Sequence, residues 1–346
     1  MRILLLGGGV QPIPPTGYGA VERILDDLRK GLIAAGHEAT VINRVRHRRS
    51  RDEYPFAWEL PRLLRNERYD VLHAHTPVVA NRLAWSGLPY VFTSHSRHWY
   101  YRDRLTHRWG YWLERRAVRK ARAVIALTEP LAQTMRAKVA PPRPPITVVP
   151  FGVDSERFAP DWGTRTGARA LGVGVVAPFK RWHLAAEALR GTGATLRIVG
   201  PIASPAYADE VRRAGTAVEV VGEVSEPELV RLFAESDFLV HPSAVEILSA
   251  TVLEALAAGL PGVGGEAVRG VVDDGITGWC VPEGDGHFVE GLRSRSAELL
   301  AHADRRRVMG EAARRVAQDR YAWSHVVAQH VEVYRSAVGP SPADRA

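Results

Sequence analysis

Residues 1–42, MRILLLGGGVQPIPPTGYGAVERILDDLRKGLIAAGHEATVI, decide the fold class. Ile3-Leu4-Leu5-Leu6 is a short apolar run ended by Gly7-Gly8-Gly9, the pattern of a buried strand in a parallel sheet. Gln11 to Gly19 is a Pro/Gly loop. Apolar residues then fall at Val21, Ile24, Leu25, Leu28, Leu32 and Ile33, one face of a helix that Gly36 stops. Ala39-Thr40-Val41-Ile42 is the next strand. Strand, helix and strand in this order imply a parallel sheet built from βαβ units.

The alternation continues outward from there. Strands are predicted at 70–73, 90–93, 123–126 and 146–149, with a helix over 115–121. Pro160, Gly163 and Gly167 place a boundary between 155 and 170. A second series follows, with strands at 171–176, 195–199, 218–221, 237–240 and 260–263. Its helices fall at 182–190, 226–235, 250–258 and 287–301. The expected fold is α/β, with two Rossmann-like doubly wound domains facing across a cleft, since ligands of such sheets bind beyond the carboxyl ends of the strands. The length of 346 residues agrees with two domains.

Composition is that of a globular protein, with 46% hydrophobic and 24% charged residues. The single cysteine, Cys280, excludes an intramolecular disulfide and a cysteine-based zinc site, and fits a reducing compartment. No apolar run approaches a membrane span, and MRILLLGGG is too short for a secretory leader. A cytoplasmic location is expected, extending to the inner face of the membrane. Charge is uneven: residues 1–160 carry 26 Lys+Arg and 14 Asp+Glu out of totals of 46 and 38. The basic half therefore suits an anionic membrane surface or an acidic acceptor, or is a solvated face in an arginine-rich chain with four lysines. Nucleic acid is not expected.

Several residue groups can carry chemistry. Glu246 and Glu254 stand eight apart in HPSAVEILSATVLEALAAGLP, one in a loop and one about a turn inside the helix it feeds. A helix N-terminus there can hold a phosphate while carboxylates grip neighbouring hydroxyls. Gly17-Tyr18-Gly19-Ala20 lets backbone amides approach a phosphate, or is a tight turn; its spacing matches neither the dinucleotide fingerprint nor a P-loop. Lys180 and Arg181 follow a predicted strand, as diphosphate ligands or an exposed pair. His95, just past another strand, can donate to a hydroxyl or phosphate, or bond to backbone. Tyr18, Arg97, His98 and Tyr100 suit an acceptor surface, although an amphipathic helix packing on its own domain explains the run from Arg97 to Arg102 as well. His73 and His75 share a strand face but lack a third ligand at motif spacing, and no metal is expected. No other cofactor is expected either.

Taken in order, Gly19-Ala20-Val21-Glu22, Gly36-His37-Glu38, Tyr69–His75, Thr93-Ser94-His95, Val149–Asp154, Lys180, Gly200-Pro201, Val221–Val224, His241-Pro242-Ser243, Glu246…Glu254-Ala255-Leu256, Asp274–Gly278 and Tyr321-Ala322-Trp323 form a series. The series resembles the retaining GT-B glycosyltransferases of family 4, over nearly the whole chain. The resemblance implies an acceptor-binding domain at 1–158, a nucleotide-sugar-binding domain at 165–320, and a helix at 321–338 crossing back to the first. It implies metal-independent transfer of a hexose-type sugar from a UDP- or GDP-type donor to a hydroxyl acceptor: a lipid, a polysaccharide or a small metabolite. Glu254 would hold the ribose and Glu246 the donor sugar. The amides of Ile247, Leu248, Ser249 and Ala250 would point at that sugar and the diphosphate. Val224 would contact the base. Lys180, with Arg181, Gly19 and Ala20, would hold the diphosphate, and His95 would face the donor sugar. His95, Lys180 and Glu246 would be the catalytic set. Three positions depart from the family: Val175 stands for an arginine, Ile247-Leu248-Ser249 for Gly-Phe-Gly, and Ala20 for a glycine. These departures keep two alternatives open. One is a non-catalytic GT-B-like protein acting at a membrane or nucleic acid; the other is a GT-B phosphorylase or epimerase.

Overall fold

The computed structural model describes residues 1–15, 19–45, 53–95, 99, 105–141, 144–284 and 286–338. The chain divides into two compact units, residues 1–152 with 323–346, and residues 153–322. The division therefore falls just before the expected 155–170 stretch. The helix at the end of the chain belongs to the first unit.

The first unit runs β1 (Arg2–Leu6), α1 (Ala20–Ala34), β2 (Glu38–Ile42), α2 (Glu53–Leu63), β3 (Val71–Ala74), α3 (Pro77–Trp85), β4 (Val91–Ser94), α4 (Leu105–Lys120), β5 (Ala123–Ala126), α5 (Glu129–Lys138) and β6 (Ile146–Val148). Its sheet has the order β2-β1-β3-β4-β5-β6, with every ladder parallel. The second unit runs β7 (Arg169–Val173), α6 (Trp182–Leu189), β8 (Thr195–Val199), α7 (Pro205–Ala214), β9 (Val218–Gly222), α8 (Glu226–Glu235), β10 (Phe238–His241), α9 (Ala250–Ala257), β11 (Gly262–Gly264), β12 (Gly278–Cys280), α10 (Phe288–Ala301) and α11 (Ala303–Tyr321). Its sheet is parallel too, in the order β12-β11-β10-β7-β8-β9. The winding direction thus reverses between β1 and β3, and again between β7 and β10. Those reversals are where loops diverge and leave room for a ligand.

The last helix, α12 (Trp323–Val338), completes the first unit's core. Its Val326, Val327, Val331 and Tyr334 pack with Leu28 and Leu32 of α1 and with Ile3, Leu5 and Ile125 of the sheet. Gly31 permits this approach, because a Cβ there would stand 2.6 Å from Val327. The helix thus buries an apolar stripe that the sequence places roughly 200 to 330 residues after its partners.

The model contains elements beyond the expected set: helices α2, α3, α5, α7 and α11 and strand β12. For α3, α5 and α7 the signal was present, a Thr or Ser N-cap followed by proline in the first turn. For α11 the buried stripe is Met309, Gly310, Ala313, Ala317 and Tyr321, mostly residues too small to register as an apolar face. β7 ends at Val173 rather than at 176, because Gly174 turns the chain with a φ of 147°.

Small residues matter where α11 crosses α9. A Cβ on Gly310 would collide with the carbonyl oxygen of Gly259 and the Trp162 ring. In a free helix, Gly→Ala gains about 1 kcal/mol of propensity. Here the collision with backbone opposes it, and overpacking of this kind costs about 1–3 kcal/mol. Gly310→Ala is therefore expected to lower the unfolding free energy in a denaturant titration; an unchanged or raised value would contradict the packing argument.

A second consequence concerns acid. Beneath the C-terminal ends of β3 and β4 lie His73, His75 and His95, with His330 of α12 alongside. Burial pushes His73 and His75 well below the ordinary imidazole range and brings His95 and His330 to about 4. An unfolded chain takes protons on these rings near pH 6.5, and the folded unit resists until about pH 4. The four rings therefore make stability fall as pH drops below about 6.5, by up to about 1.4 kcal/mol per pH unit for each histidine, while Glu53, whose carboxyl burial raises to about 7, opposes them by up to one proton between about pH 4.5 and 7. Denaturant unfolding between pH 7 and 5 should show this slope, and His330→Gln should reduce it by about one proton; a flat wild-type profile would refute the account.

Candidate functional site

In the second unit the reversal between β7 and β10 sets two loops side by side, 174–181 after β7 and 242–249 after β10. Glycine shapes the first. A Cβ on Gly174 would lie 3.3 Å from Lys180 Cε, so the missing side chain leaves the lysine stem its path. Lys180 is buried and donates from Nζ to Glu246 Oε1 at 2.5 Å. The Ser243 hydroxyl donates to the same oxygen at 3.0 Å, and Nε2 of the fully buried His241 lies 3.5 Å from it. Among the described residues, no hydrogen bond falls on Glu246 Oε2.

Burial alone would raise the Glu246 carboxyl. The contacts from His241 and the Lys180 ammonium outweigh it and hold the group well below the usual carboxylate range. It is therefore an anion at any physiological pH. His241 is pushed downward too, by burial and by the nearby Lys180 charge, despite the hydrogen bonding and attraction of Glu246. The result is a buried cation and anion beside a neutral imidazole. Such a pair is expensive to desolvate, and removing one member strands the other's charge.

Arg181 lies on the loop after β7 and is engaged within the protein. Among the described residues it is the one non-glycine with positive φ, at 54°. Its guanidinium donates to the carbonyls of Pro242 at 2.7 Å and Ser243 at 3.1 Å, and pairs with Glu283 at 2.8 Å. It also lies over the Phe288 ring. Glu283 in turn accepts from the Glu266 amide at 2.8 Å. These contacts tie the loops after β7, β10, β11 and β12 together. Left-handed backbone costs a side-chain-bearing residue about 1–2 kcal/mol, and contacts of this number hold it there.

Helix α9 carries the rest. Ser249 is its N-cap, but no side-chain hydrogen bond caps it, so the N-terminal amides of this turn lack that partner. The opposite end is tightly held: Arg165 donates to the carbonyls of Ala258 and Gly259, and Arg314 to that of Ala257. Two cations at the C-terminus match the helix dipole and fix the axis. Glu254 sits in the second turn of α9, half-buried, and Ile247, Leu248 and Ala250 are half-buried as well. Val224 lies after β9, at the sheet edge and two strands from Lys180, next to the Ser225 cap of α8. Lys180, Glu246, Ser243 and His241 thus form one cluster, and Val224 stands apart from it.

In the first unit, Gly19 and Ala20 begin α1, again without a side-chain cap. Gly19 is hemmed in, since a Cβ would meet Pro15 at 2.9 Å and Gln11 at 3.1 Å. His95 is half-buried at the end of β4, and its Nε2 lies 3.1 Å from His75 Nδ1. His75 Nε2 is buried without a partner. A proton there would be an orphaned donor, so the favourable arrangement puts it on Nδ1, donating to His95. His95 then keeps its own proton on Nδ1 and acts as a neutral donor. His73 has both ring nitrogens engaged, by Tyr334 Oη at 2.8 Å and Thr93 Oγ1 at 2.7 Å. The acceptor candidates Tyr18, Arg97, His98 and Tyr100 lie outside the described residues, as do Arg46, Arg48, Arg49 and Arg51.

Sequence reasoning gave no role to Ser243, His241 or the two arginines that clamp α9. The His-Pro-Ser run immediately before Glu246 was the available signal. It also passed over Glu53 at the start of α2. Burial raises that carboxyl to about 7, against the lowering effect of Thr76, and leaves Oε1 without a hydrogen bond.

Known proteins share this organisation. The family model "Glycosyltransferase Family 4" matches residues 19–157, and "Glycosyl transferases group 1" matches residues 173–302. The 2-deoxystreptamine N-acetyl-D-glucosaminyltransferase of Streptomyces fradiae is 30% identical over 316 residues, covering 80% of this chain and 73% of that protein. Among solved structures, sucrose-phosphate synthase from Thermosynechococcus elongatus superposes with a TM-score of 0.81 at 18% identity, over 96% of this chain and 98% of the other. HepE of Anabaena, in complex with UDP-glucose, gives 0.75 at 17% identity, over 97% and 100%. With two parallel doubly wound units, matches to both family models and a relative at this identity, the chain belongs to glycosyltransferase family 4 and has the GT-B fold.

Proposed function

We propose that this glycosyltransferase is a retaining, metal-independent enzyme that moves a hexose-type sugar from a nucleoside diphosphate sugar to a hydroxyl acceptor. The observation that carries the reading is the buried Lys180–Glu246 pair at the β7/β10 reversal, beside a helix N-terminus without a side-chain cap. A UDP-type donor is supported by the UDP-glucose complex of HepE, and a polyhydroxylated acceptor by the name of the Streptomyces relative.

The difficult step is loss of the diphosphate, as the bond from the sugar's anomeric carbon to the phosphate oxygen breaks. Negative charge grows on that oxygen, and preorganised positive groups are the main lever on the barrier. Lys180 would supply the cation and the first amides of α9 the dipole, in place of a metal ion. Glu246, held ionised, would offer Oε2 to a hydroxyl of the sugar. Glu254 would take the ribose hydroxyls and Val224 the base. The family resemblance gives His95 the donor sugar and the Gly19–Ala20 amides the diphosphate; as a neutral Nδ1 donor, His95 suits a hydroxyl. The acceptor oxygen would attack an oxocarbenium-like centre from the leaving-group face and pass its proton to the departing phosphate. Arg181 takes a bracing role in this reading, because its donors hold the 242–243 carbonyls and Glu283.

A second reading, a non-catalytic binding protein, draws on the same engagement of Arg181. With Val175 in place of the family arginine, Lys180 is then the main cation left for a diphosphate.

A melting-temperature panel with UDP, GDP, ADP and dTDP separates the two, since a ligand that binds the folded state stabilises it. One nucleotide is expected to raise the melting temperature, and its sugar derivatives to be turned over. Lys180→Ala is expected to lower kcat by about 10²–10³, and Glu254→Ala to raise the donor KM more than it lowers kcat. No shift with any nucleotide, or near-wild-type turnover in both variants, would overturn the enzyme reading.

A further inference from the structure

The first unit carries an aromatic and cationic surface that sugar transfer does not account for. Trp58, Trp85, Trp109 and Trp112 are 64%, 56%, 55% and 46% exposed. Large indoles are normally the first side chains a domain covers, so four on neighbouring helices call for a partner. The helices are α2, α3 and α4, which pack side by side in this order.

The four rings belong to one patch. The Arg82 guanidinium of α3 lies 4.6 Å from the centre of the Trp58 ring of α2. Trp85 stands one turn from Arg82, and Arg116 of α4 lies 5.2 Å from the centre of the Trp85 ring. Trp112 is one turn before Arg116 and stacks on Trp109, with centroids 5.0 Å apart and planes 16° from parallel. Cations and indoles alternate across three helices.

Charge on α3 and α4 has one exposed sign, while on α2 the half-buried Glu59 beside Trp58 is paired with Arg44 at 3.0 Å. Helices α3 and α4 contain Arg82, Arg108, Arg115, Arg116, Arg119 and Lys120. Their one acidic residue, Glu114, is fully buried and accepts from the Ser94 hydroxyl at 2.9 Å. Arg108, Arg115, Arg119 and Lys120 are exposed.

We propose that this face docks on an anionic lipid bilayer. Indoles favour the boundary between headgroups and acyl chains, where the ring is half-solvated. Guanidinium groups bind lipid phosphates with paired hydrogen bonds. A protein partner would ordinarily find charges of both signs here, and a second copy of the chain would set arginines against arginines. The bilayer satisfies both the aromatic content of the patch and the exposed positive charge of α3 and α4. No helix among the described residues is long and apolar enough to cross a membrane, so the association is a surface one.

The full-length protein can be tested by co-sedimentation with phosphatidylcholine vesicles, with and without phosphatidylglycerol, at low and high salt. Binding is expected only with phosphatidylglycerol, weakened by salt and accompanied by a blue shift of tryptophan emission. A chain with net charge +8 is drawn to anionic surfaces in any case, so the variants decide. Arg115→Glu with Arg119→Glu should weaken binding by about thirtyfold or more, since each basic residue near the surface is worth about fivefold. Trp109→Ala with Trp112→Ala should abolish the blue shift and weaken binding without altering circular dichroism or nucleotide binding. Equal binding by wild type and the tryptophan double variant would overturn the proposal. So would concentration-dependent dimerisation lost in that variant, or preferential binding to duplex DNA that the same substitutions remove. Nucleotide turnover does not enter this test, so its outcome is separable from that of the enzymatic reading.

Discussion

One largely buried carboxylate, Glu246, governs the arrangement of the loops after β7 and β10. Its Oε1 gathers Lys180, Ser243 and His241, contributed by two loops that meet where the sheet reverses direction. An ion pair out of water is costly to form, and the cost is tolerated only with good geometry and added hydrogen bonds. Here the geometry comes from the chain entering from two adjacent parallel strands. In the reading proposed above, the Lys180 ammonium beside a helix N-terminus supplies positive potential at this end of the sheet.

Much of the surrounding structure serves to hold that cluster still. Gly174 clears the path of the lysine stem. Arg181 accepts a left-handed backbone in order to bind three groups from neighbouring loops. Arg165 and Arg314 clamp the far end of α9, and Gly310 lets α11 lie close against it. A site held on the ends of strands and a fixed helix keeps its donors aimed before any ligand arrives, and electrostatic stabilisation depends on that preorganisation. The first unit follows a different plan, with neutral histidines stacked beneath its strand ends. There the hydrogen bonds select which nitrogen of His95 carries the proton.

The βαβ pattern was legible because buried parallel strands are continuous apolar runs and their helices carry a 3.6-residue stripe. Strands β1, β2, β8 and β10, and helices α1, α6, α8 and α9, could be placed to within a residue or two. Helix α11 was missed because its buried stripe is alanine and glycine, and β12 because a three-residue strand has no period to detect. The structure places Lys180, Glu246 and Glu254 on the loops and helix at the carboxyl ends of β7 and β10. The sequence offers Arg181 as a diphosphate ligand or one of an exposed pair, because it shows a charge and not the hydrogen-bond partners that the fold supplies. His241 and Ser243 were passed over as sites because their importance lies in contact with Glu246.

The sequence by itself determined the two alternating α/β series, the basic first half and the membership in a family, since hydropathy, charge and ordered motifs are properties of the chain. The tertiary structure alone decided which charges are paired and which helices share a face. It paired Lys180 with Glu246 across 66 residues, packed α12 into the sheet formed by the chain's beginning, and brought Trp58, Trp85, Trp109 and Trp112 onto one surface. The reason is physical: burial and electrostatic coupling depend on distances of a few ångströms between residues, and those distances are set by how sheets and helices pack rather than by spacing along the chain.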